Sequence, residues 1–232
     1  MENQNYDALE THFNSYDASK LRGLVSENSA IRYAAYVLDR IAPHKGSTML
    51  DIGCGDGVMM HAMLMLRPDL YIDGIELSPK LTELAKINNP ESEILCGNIM
   101  GMDISNIPKK YDYVFSFSFL QYIPAKDIAH LQSRIQDFVL NNGVIVHCSI
   151  PDKRFRLCTT VVTQLRKRGN LGLLIAPIMH ILYILYHKNR YGVGGFWHDP
   201  IGLEKTLTSL GEINVLESDV YYRFDIVHKI AR

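Results

Sequence analysis

The stretch STMLDIGCGDGVMMHAMLML, Ser47 to Leu66, leaves few architectures open. An apolar run suited to a strand carries an acid, Asp51, near its end. Glycines at 53, 55 and 57 follow, and an apolar helical segment begins at once. Glycine accepts left-handed backbone and has no Cβ, so such a turn brings backbone N–H groups and a helix N-terminus close to a ligand. A strand, a tight turn and a helix in this order form the opening of a βαβ unit, which predicts a largely parallel sheet covered by helices.

The remaining chain continues that alternation. LYIDGIEL, SEILCG, YDYVFSFS and GVIVHCSI are further strand candidates, rich in β-branched and aromatic residues. INVLESDVYYRFDIVHKI reads as two more strands around a turn, an antiparallel hairpin that brings the tally to seven. Ser78-Pro79 and Asp199-Pro200 read as helix starts, and Gly211 as a helix stop. AKDIAHLQSRIQDFVL predicts a helix with Ile128, Leu131, Ile135 and Phe138/Val139 inward. A second helix, capped by Ser26 or Ser29, buries Ile31, Ala35, Val37/Leu38 and Ile41. A chain of 232 residues, 47% hydrophobic and 21% charged, fits one α/β domain. The four cysteines have no ligand spacing and read as reduced, buried thiols, and the polar Met1 to Asp17 does not read as a secretory leader, so the expected compartment is the cytoplasm.

Three positions carry the chemistry. A dinucleotide fingerprint needs Gly or Ala at the sixth position of Gly-x-Gly-x-x-Gly, where Val58 stands; no Gly-Lys-Ser/Thr follows for a P-loop. Glu76 ends the second strand, where a carboxylate can accept both ribose hydroxyls of a nucleoside. Asn98 follows the third strand, where its amide offers both a donor and an acceptor to an adenine edge.

Over roughly Ala35 to Ile150 and the terminal hairpin, the chain resembles the class I S-adenosylmethionine-dependent methyltransferases. LDIGCGDG matches the family's first motif and IEL its ribose-binding acid. GNI has Asn98 in place of the usual Asp, YDYVFSFSFLQYIP matches the fourth-strand motif, and VLNNGVIVHCSIP matches the fifth-strand motif with Asn141 and Asn142 where the family often has Lys-Pro. The resemblance implies a Rossmann-like α/β fold: a seven-stranded, mostly parallel sheet with its last strand antiparallel and helices on both faces. It implies S-adenosyl-L-methionine as cofactor and S-adenosyl-L-homocysteine as product, with in-line displacement at the methyl carbon and no metal. The cofactor would be held by Asp51, Gly53, Cys54, Gly55 and Gly57, with Cys54 as the variable motif position, and by Glu76, Leu77, Asn98, Ile99, Ser116 and Phe117. Tyr122, where relatives often carry a histidine, is either a substrate contact or a core aromatic. His147 reads as a satisfied core histidine. His198 is a candidate general base for a hydroxyl acceptor, or else a loop histidine that helps cap a helix. Residues 1–45, with Tyr6, His12, Tyr16 and Arg22, are expected to form an N-terminal helical lid, as in many relatives, or else a solvated helix.

Residues 151–197 exceed what the family spends between the fifth strand and the next helix, and read as a helical insertion, lid or binding surface. Phe155, Cys158, Val162 and Leu165 predict an amphipathic helix ended by Gly169-Asn170. NLGLLIAPIMHILYILYH follows, interrupted at Pro177. From Lys153 to Arg190 there are eight Lys/Arg and no Asp or Glu, leaving 16 basic against 25 acidic residues elsewhere. This segment fits an anionic membrane surface through 153–190 as a peripheral contact, a small or lipid-linked acceptor with Trp197, Tyr183 and Tyr16 as substrate contacts, or a homodimer face. A bilayer crossing is excluded because two strands must return to the same sheet. His180 and His187, seven apart, are badly spaced for chelation, so no metal is expected. Nucleic-acid methylation is the enzymatic rival, without an Asn-Pro-Pro-Tyr or Asp-Pro-Pro-Tyr element to support it; a non-catalytic, membrane-associated cofactor-binding module is the other.

Overall fold

The computed structural model describes residues 4–15, 27–103, 109–187 and 195–230. Two helices, α1 (Gln4–Asn14) and α2 (Glu27–Ile41), precede β1 (Thr48–Ile52). The chain continues through α3 (Val58–Leu66), β2 (Tyr71–Glu76), α4 (Pro79–Asn88), β3 (Ile94–Cys96), β4 (Tyr111–Phe117), α5 (Ile128–Gln136) and β5 (Val139–Pro151). The inserted helices α6 (Arg156–Arg168) and α7 (Asn170–His187) follow, then α8 (Pro200–Thr208), β6 (Glu212–Glu217) and β7 (Arg223–Lys229). The strands form one sheet in the order β3-β2-β1-β4-β5-β7-β6, parallel except for β7, which runs antiparallel to both neighbours. This is the seven-stranded, mostly parallel sheet read from the sequence.

Alternate residues of each strand face opposite helical layers, because the side-chain period of a strand is two. Leu50, Val114 and Ile145 pack under Ile128, Leu131 and Ile135 of α5 and Leu203 and Leu207 of α8. Their neighbours Met49, Phe115 and Val146 pack under Ala34, Val37 and Ile41 of α2 and Met60 and Met63 of α3. A buried anchor ties α2 to the last strand: Asp225, on β7, accepts from Tyr36 Oη and from the Ser149 N–H (2.8 Å) and lies 3.1 Å from Arg40 Nε.

Ser78 caps α4 by accepting from the Leu81 N–H (3.3 Å), with Pro79 as the first helical residue. Some local expectations shift. α5 ends at Gln136, because Val139 pairs with Tyr111 to open β5. Ala34 rather than Ala35 is buried on α2. Cys54 and Cys148 are buried, but Cys96, at the end of edge strand β3, and Cys158, on the outer face of α6, are exposed. Asn170 begins α7, and the helix runs through Pro177, whose missing N–H removes one rung without stopping it. Of the capping alternatives, Ser26 lies outside the described residues.

Candidate functional site

A cavity of about 590 Å³ opens at the C-terminal ends of β1 to β5, the edge at which open α/β sheets bind ligands. Its floor is the turn after β1. Gly53, Gly55 and Gly57 all take positive φ (77°, 60° and 74°), but for different purposes. A Cβ on Gly53 would lie 2.6 Å from the Phe119 ring. On Gly57 it would lie 2.4 Å from Asn89 Nδ2 and 3.0 Å from the Ala85 backbone, so Gly57 lets α3 pack on α4 and does not line the cavity. A Cβ on Gly55 meets nothing within 4 Å; there the missing side chain leaves the cavity floor open.

Glu76 braces this turn. Its Oε2 accepts from the Gly55 N–H and its Oε1 from the Ser78 N–H, both at 2.9 Å. Asp51 is 3% exposed, and no hydrogen bond to its carboxylate is found among the described residues. Burial, and then the negative Glu76, push its pKa up to about 8. The cavity thus holds a buried carboxyl group that lacks a cation.

Cys54, Leu77, Asn98, Ile99 and Phe117 also line the cavity. Asn98 Oδ1 accepts from the Met100 N–H (2.9 Å), which leaves the amide NH2 as its donor toward a ligand. Burial pushes the Cys54 thiol well above its usual range, so it is no nucleophile near neutral pH.

Ser116 is displaced from its expected place. It sits on the opposite face of β4 from the cavity, 2.8 Å from His147 Nδ1. His228 Nε2 must donate to the Leu210 carbonyl (3.1 Å), and that fixes the direction of a buried chain: Gln132 Nε2 donates to His228 Nδ1 (2.6 Å), His147 Nε2 to Gln132 Oε1 (2.9 Å), and Ser116 Oγ to His147 Nδ1. His147 is therefore a satisfied core histidine, with its pKa lowered to about 3 by burial and by His228.

His198 is also displaced, lining neither this cavity nor its neighbour. It is 2% exposed, its Nε2 donates to the Leu120 carbonyl (2.9 Å), and its Nδ1 has no partner among the described residues. Its backbone N–H donates to the Pro151 carbonyl and its own carbonyl accepts from the Lys153 N–H, so it closes the two ends of the insertion. Burial lowers its pKa. These contacts correct its reading as a base facing the acceptor.

Tyr122 lines the cavity, its ring edge-on to Phe13 at 5.3 Å. Phe13 and Leu9 of α1 line it too, and the Ser78 hydroxyl donates to Asn14 Oδ1 (2.6 Å). Trp197 lines a second cavity of about 500 Å³ between α6, α7 and the β6–β7 turn, and Tyr222 belongs to both cavities. Tyr16 and Arg22, and the side chains of Tyr6, His180, Tyr183 and His187, lie outside the described residues. Among those described, no cluster of three or more His, Cys, Asp or Glu could hold a metal ion.

The sequence reading missed the far wall of the cavity. Arg223, the first residue of β7, donates through Nη1 to the Ser149 carbonyl (2.5 Å) and lies 3.4 Å from Ser118 Oγ, with Tyr222 beneath its guanidinium. Ser118 and Ser149 both hold positive φ, 55° and 64°, a strained backbone that concentrates at functional sites. Arg223 cannot be found by motif, because β7 meets β5 only in the folded sheet.

Residues 50–145 match the family described as Methyltransferase domain. The chain is similar to malonyl-[acyl-carrier protein] O-methyltransferase 1 of Ilyobacter polytropus, with 33% identity over 34% of this chain and 30% of that one. It is also similar to the ribosomal RNA small subunit methyltransferase C of Salmonella arizonae, with 22% identity over 72% and 57%. It thus spans less than two thirds of these curated relatives. In fold it is similar to the magnesium protoporphyrin IX methyltransferase of Synechocystis solved with S-adenosylmethionine bound, with a TM-score of 0.62, 14% identity, and 99% and 98% of the two chains covered. The strand order and the glycine turn with its bracing acid give this chain the fold of these methyltransferases, and its residues 50–145 are the segment that matches the methyltransferase domain.

Proposed function

We propose that this chain transfers a methyl group from S-adenosylmethionine to a small-molecule acceptor, at an oxygen that is already anionic. The observation that carries the cofactor is Asp51: a buried carboxyl without a hydrogen bond among the described residues, beside a glycine turn whose Gly55 side is open, is complementary to the ammonium of an amino acid. Glu76 would take the ribose with its remaining lone pairs, and the Asn98 amide NH2 an acceptor nitrogen of the adenine, with Leu77 and Ile99 against the ring. When bound, the sulfonium supplies the electrophilic methyl. The protein's share is to hold the acceptor oxygen in line with it and to keep water out. Leu9 and Phe13 of α1 cover the cavity, which supports a lid role for the N-terminal helix.

The acceptor class follows from what lines the remaining space. Among the described residues no histidine or lysine does so, and His198 lies outside it, so apart from Asp51, which the ammonium of the methyl donor would engage, no side chain near neutral pKa lines the cavity to take a proton from a hydroxyl. A carboxylate needs no base. Arg223 is the cation at that end, with no carboxylate paired to it among the described residues, and Gln121 and Tyr122 flank the same space. A guanidinium binds a carboxylate in two-pronged geometry. The similarity to a malonyl-[acyl-carrier protein] O-methyltransferase is compatible with this choice.

Isothermal titration with S-adenosylmethionine and its demethylated product tests the cofactor. Measurable binding that is lost in Glu76→Ala is expected, and no binding to the intact chain refutes the reading. A panel of carboxylic acids, phenols and amines with labelled methyl donor tests the acceptor. Turnover of acids, with KM raised at least about tenfold in Arg223→Ala and kcat less affected, is expected. Turnover of phenols or amines alone overturns the carboxylate assignment.

A further inference from the structure

The helices α6 and α7 are joined by Gly169 alone and pack against each other. Met179 and Thr159, each ten residues from that glycine, line the same cavity, so the pair is an antiparallel hairpin. Ala176 is fully buried, marking the inner side of α7. At 100° per residue, Leu171, Ile178 and Leu182 lie on the opposite side, and they are 58%, 59% and 54% exposed; Ile181 and Met179 flank them, also exposed. The turn carries Arg166, Lys167 and Arg168, all exposed, just before Leu171. The hairpin thus presents an aliphatic stripe with three cations at one end and, from Lys153 to Arg190, no acidic residue in sequence.

We propose that the α6–α7 hairpin docks this protein on an anionic lipid surface, with the outward stripe of α7 in the acyl boundary and Arg166, Lys167 and Arg168 on the headgroups. Lipid supplies both halves of the complement at once, aliphatic chains beside fixed negative charge. A second copy of the chain would bring basic residues against basic residues with no acid between them. A nucleic acid would meet aliphatic side chains where bases need aromatic faces to stack on. The contact is interfacial: no helix among the described residues is long and apolar enough to cross a membrane, and β6 and β7, which follow, pair in the same sheet as β1 to β5. The second cavity lies between this hairpin and Trp197, Tyr221 and Tyr222, and Tyr222 also lines the main cavity, so the hairpin stands beside the end of the site proposed for the acceptor.

Co-sedimentation of the full chain with vesicles tests the proposal without any reference to methyl transfer, so its failure is separable from failure of the enzymatic reading. Vesicles of phosphatidylcholine alone are compared with vesicles in which roughly a third of the lipid is phosphatidylglycerol. Binding to the anionic vesicles, weakened by salt, is expected. The Arg166→Gln, Lys167→Gln, Arg168→Gln triple variant should lower partitioning about a hundredfold, at about fivefold per basic residue. Ile178→Ser with Leu182→Ser should lower it on the order of tenfold per residue. Both should leave the melting temperature and cofactor affinity unchanged, because these side chains are exposed. Absence of binding overturns the proposal, and so does equal binding to neutral vesicles that the triple variant does not alter. A dimer in light scattering that the Ile178/Leu182 variant dissociates, without vesicle binding, assigns the face to a second copy. Salt-dependent retention of an RNA oligonucleotide without vesicle retention assigns it to nucleic acid.

Discussion

Asp51 should make the unliganded protein less stable as pH rises, and replacing it should stabilise the fold while damaging the site. In the unfolded chain its carboxyl titrates near 3.8; in the folded cavity burial and Glu76 hold it near 8. Between these values the folded state keeps a proton that the unfolded state has released. The group's contribution is therefore fully present below the unfolded pKa and is lost as pH rises through the folded one, at about 1.4 kcal/mol per unit and about 6 kcal/mol in all. An asparagine in its place has no proton to lose and would escape this penalty. At pH 7, Asp51→Asn should be more stable than the parent by about 4 kcal/mol, on the order of 10 °C in Tm, with the two converging near pH 4. The same proton should appear in binding: an ammonium that requires the carboxylate expels about 0.9 proton at pH 7. Titration calorimetry in phosphate and in Tris would then give different heats for the parent and equal heats for Asp51→Asn. The variant should also bind S-adenosylmethionine about ten- to a hundredfold more weakly, the loss of a charge-assisted hydrogen bond of about 1.5–3 kcal/mol. Equal melting temperatures at pH 7 together with buffer-independent heats in the parent would refute the reasoning.

The other predictions concern the frame of the site. His147, near 3 when folded and near 6.5 when unfolded, contributes stability that is complete above pH 6.5 and lost as pH falls toward 3, so urea midpoints should drop on that limb, and His147→Leu should flatten it. Gln132→Leu leaves His147 Nε2–H and His228 Nδ1 unpaired and should cost about 2–4 kcal/mol at pH 7 in urea unfolding. Gly57→Ala, whose Cβ meets the Ala85 backbone and Asn89, should destabilise strongly with or without ligand. Gly55→Ala should cost about 1–2 kcal/mol in thermal melts while reducing cofactor binding, because its Cβ enters the open cavity floor. Equal effects from the two glycines would undo the division of roles drawn between them.

What could be read from the sequence was what short-range physics decides. The strand period, the Ser78-Pro79 and Asp199-Pro200 starts and the glycine turn each depend on a few neighbouring residues, and each lies where the sequence put it. The errors came where one residue of register or a distant strand decides. Ser116 and Phe117 are adjacent, so a strand must send them to opposite faces; only Phe117 meets the cavity, and Ser116 ends in a polar chain whose other members come from α5, β5 and β7. His198 suggested chemistry by its residue type, but its position between Pro151 and Lys153 makes it the clasp of the insertion. Arg223 carried no signal at all. It reaches the cavity because β7 inserts antiparallel between β5 and β6, so that the start of the final strand arrives beside the end of the fifth. The cofactor half of the site is built from turns contiguous with their strands, whereas the end proposed for the acceptor is assembled by topology. A motif can therefore name the methyl donor, but the acceptor must be argued from Arg223, the cation that the sheet order delivers to the cavity among the described residues.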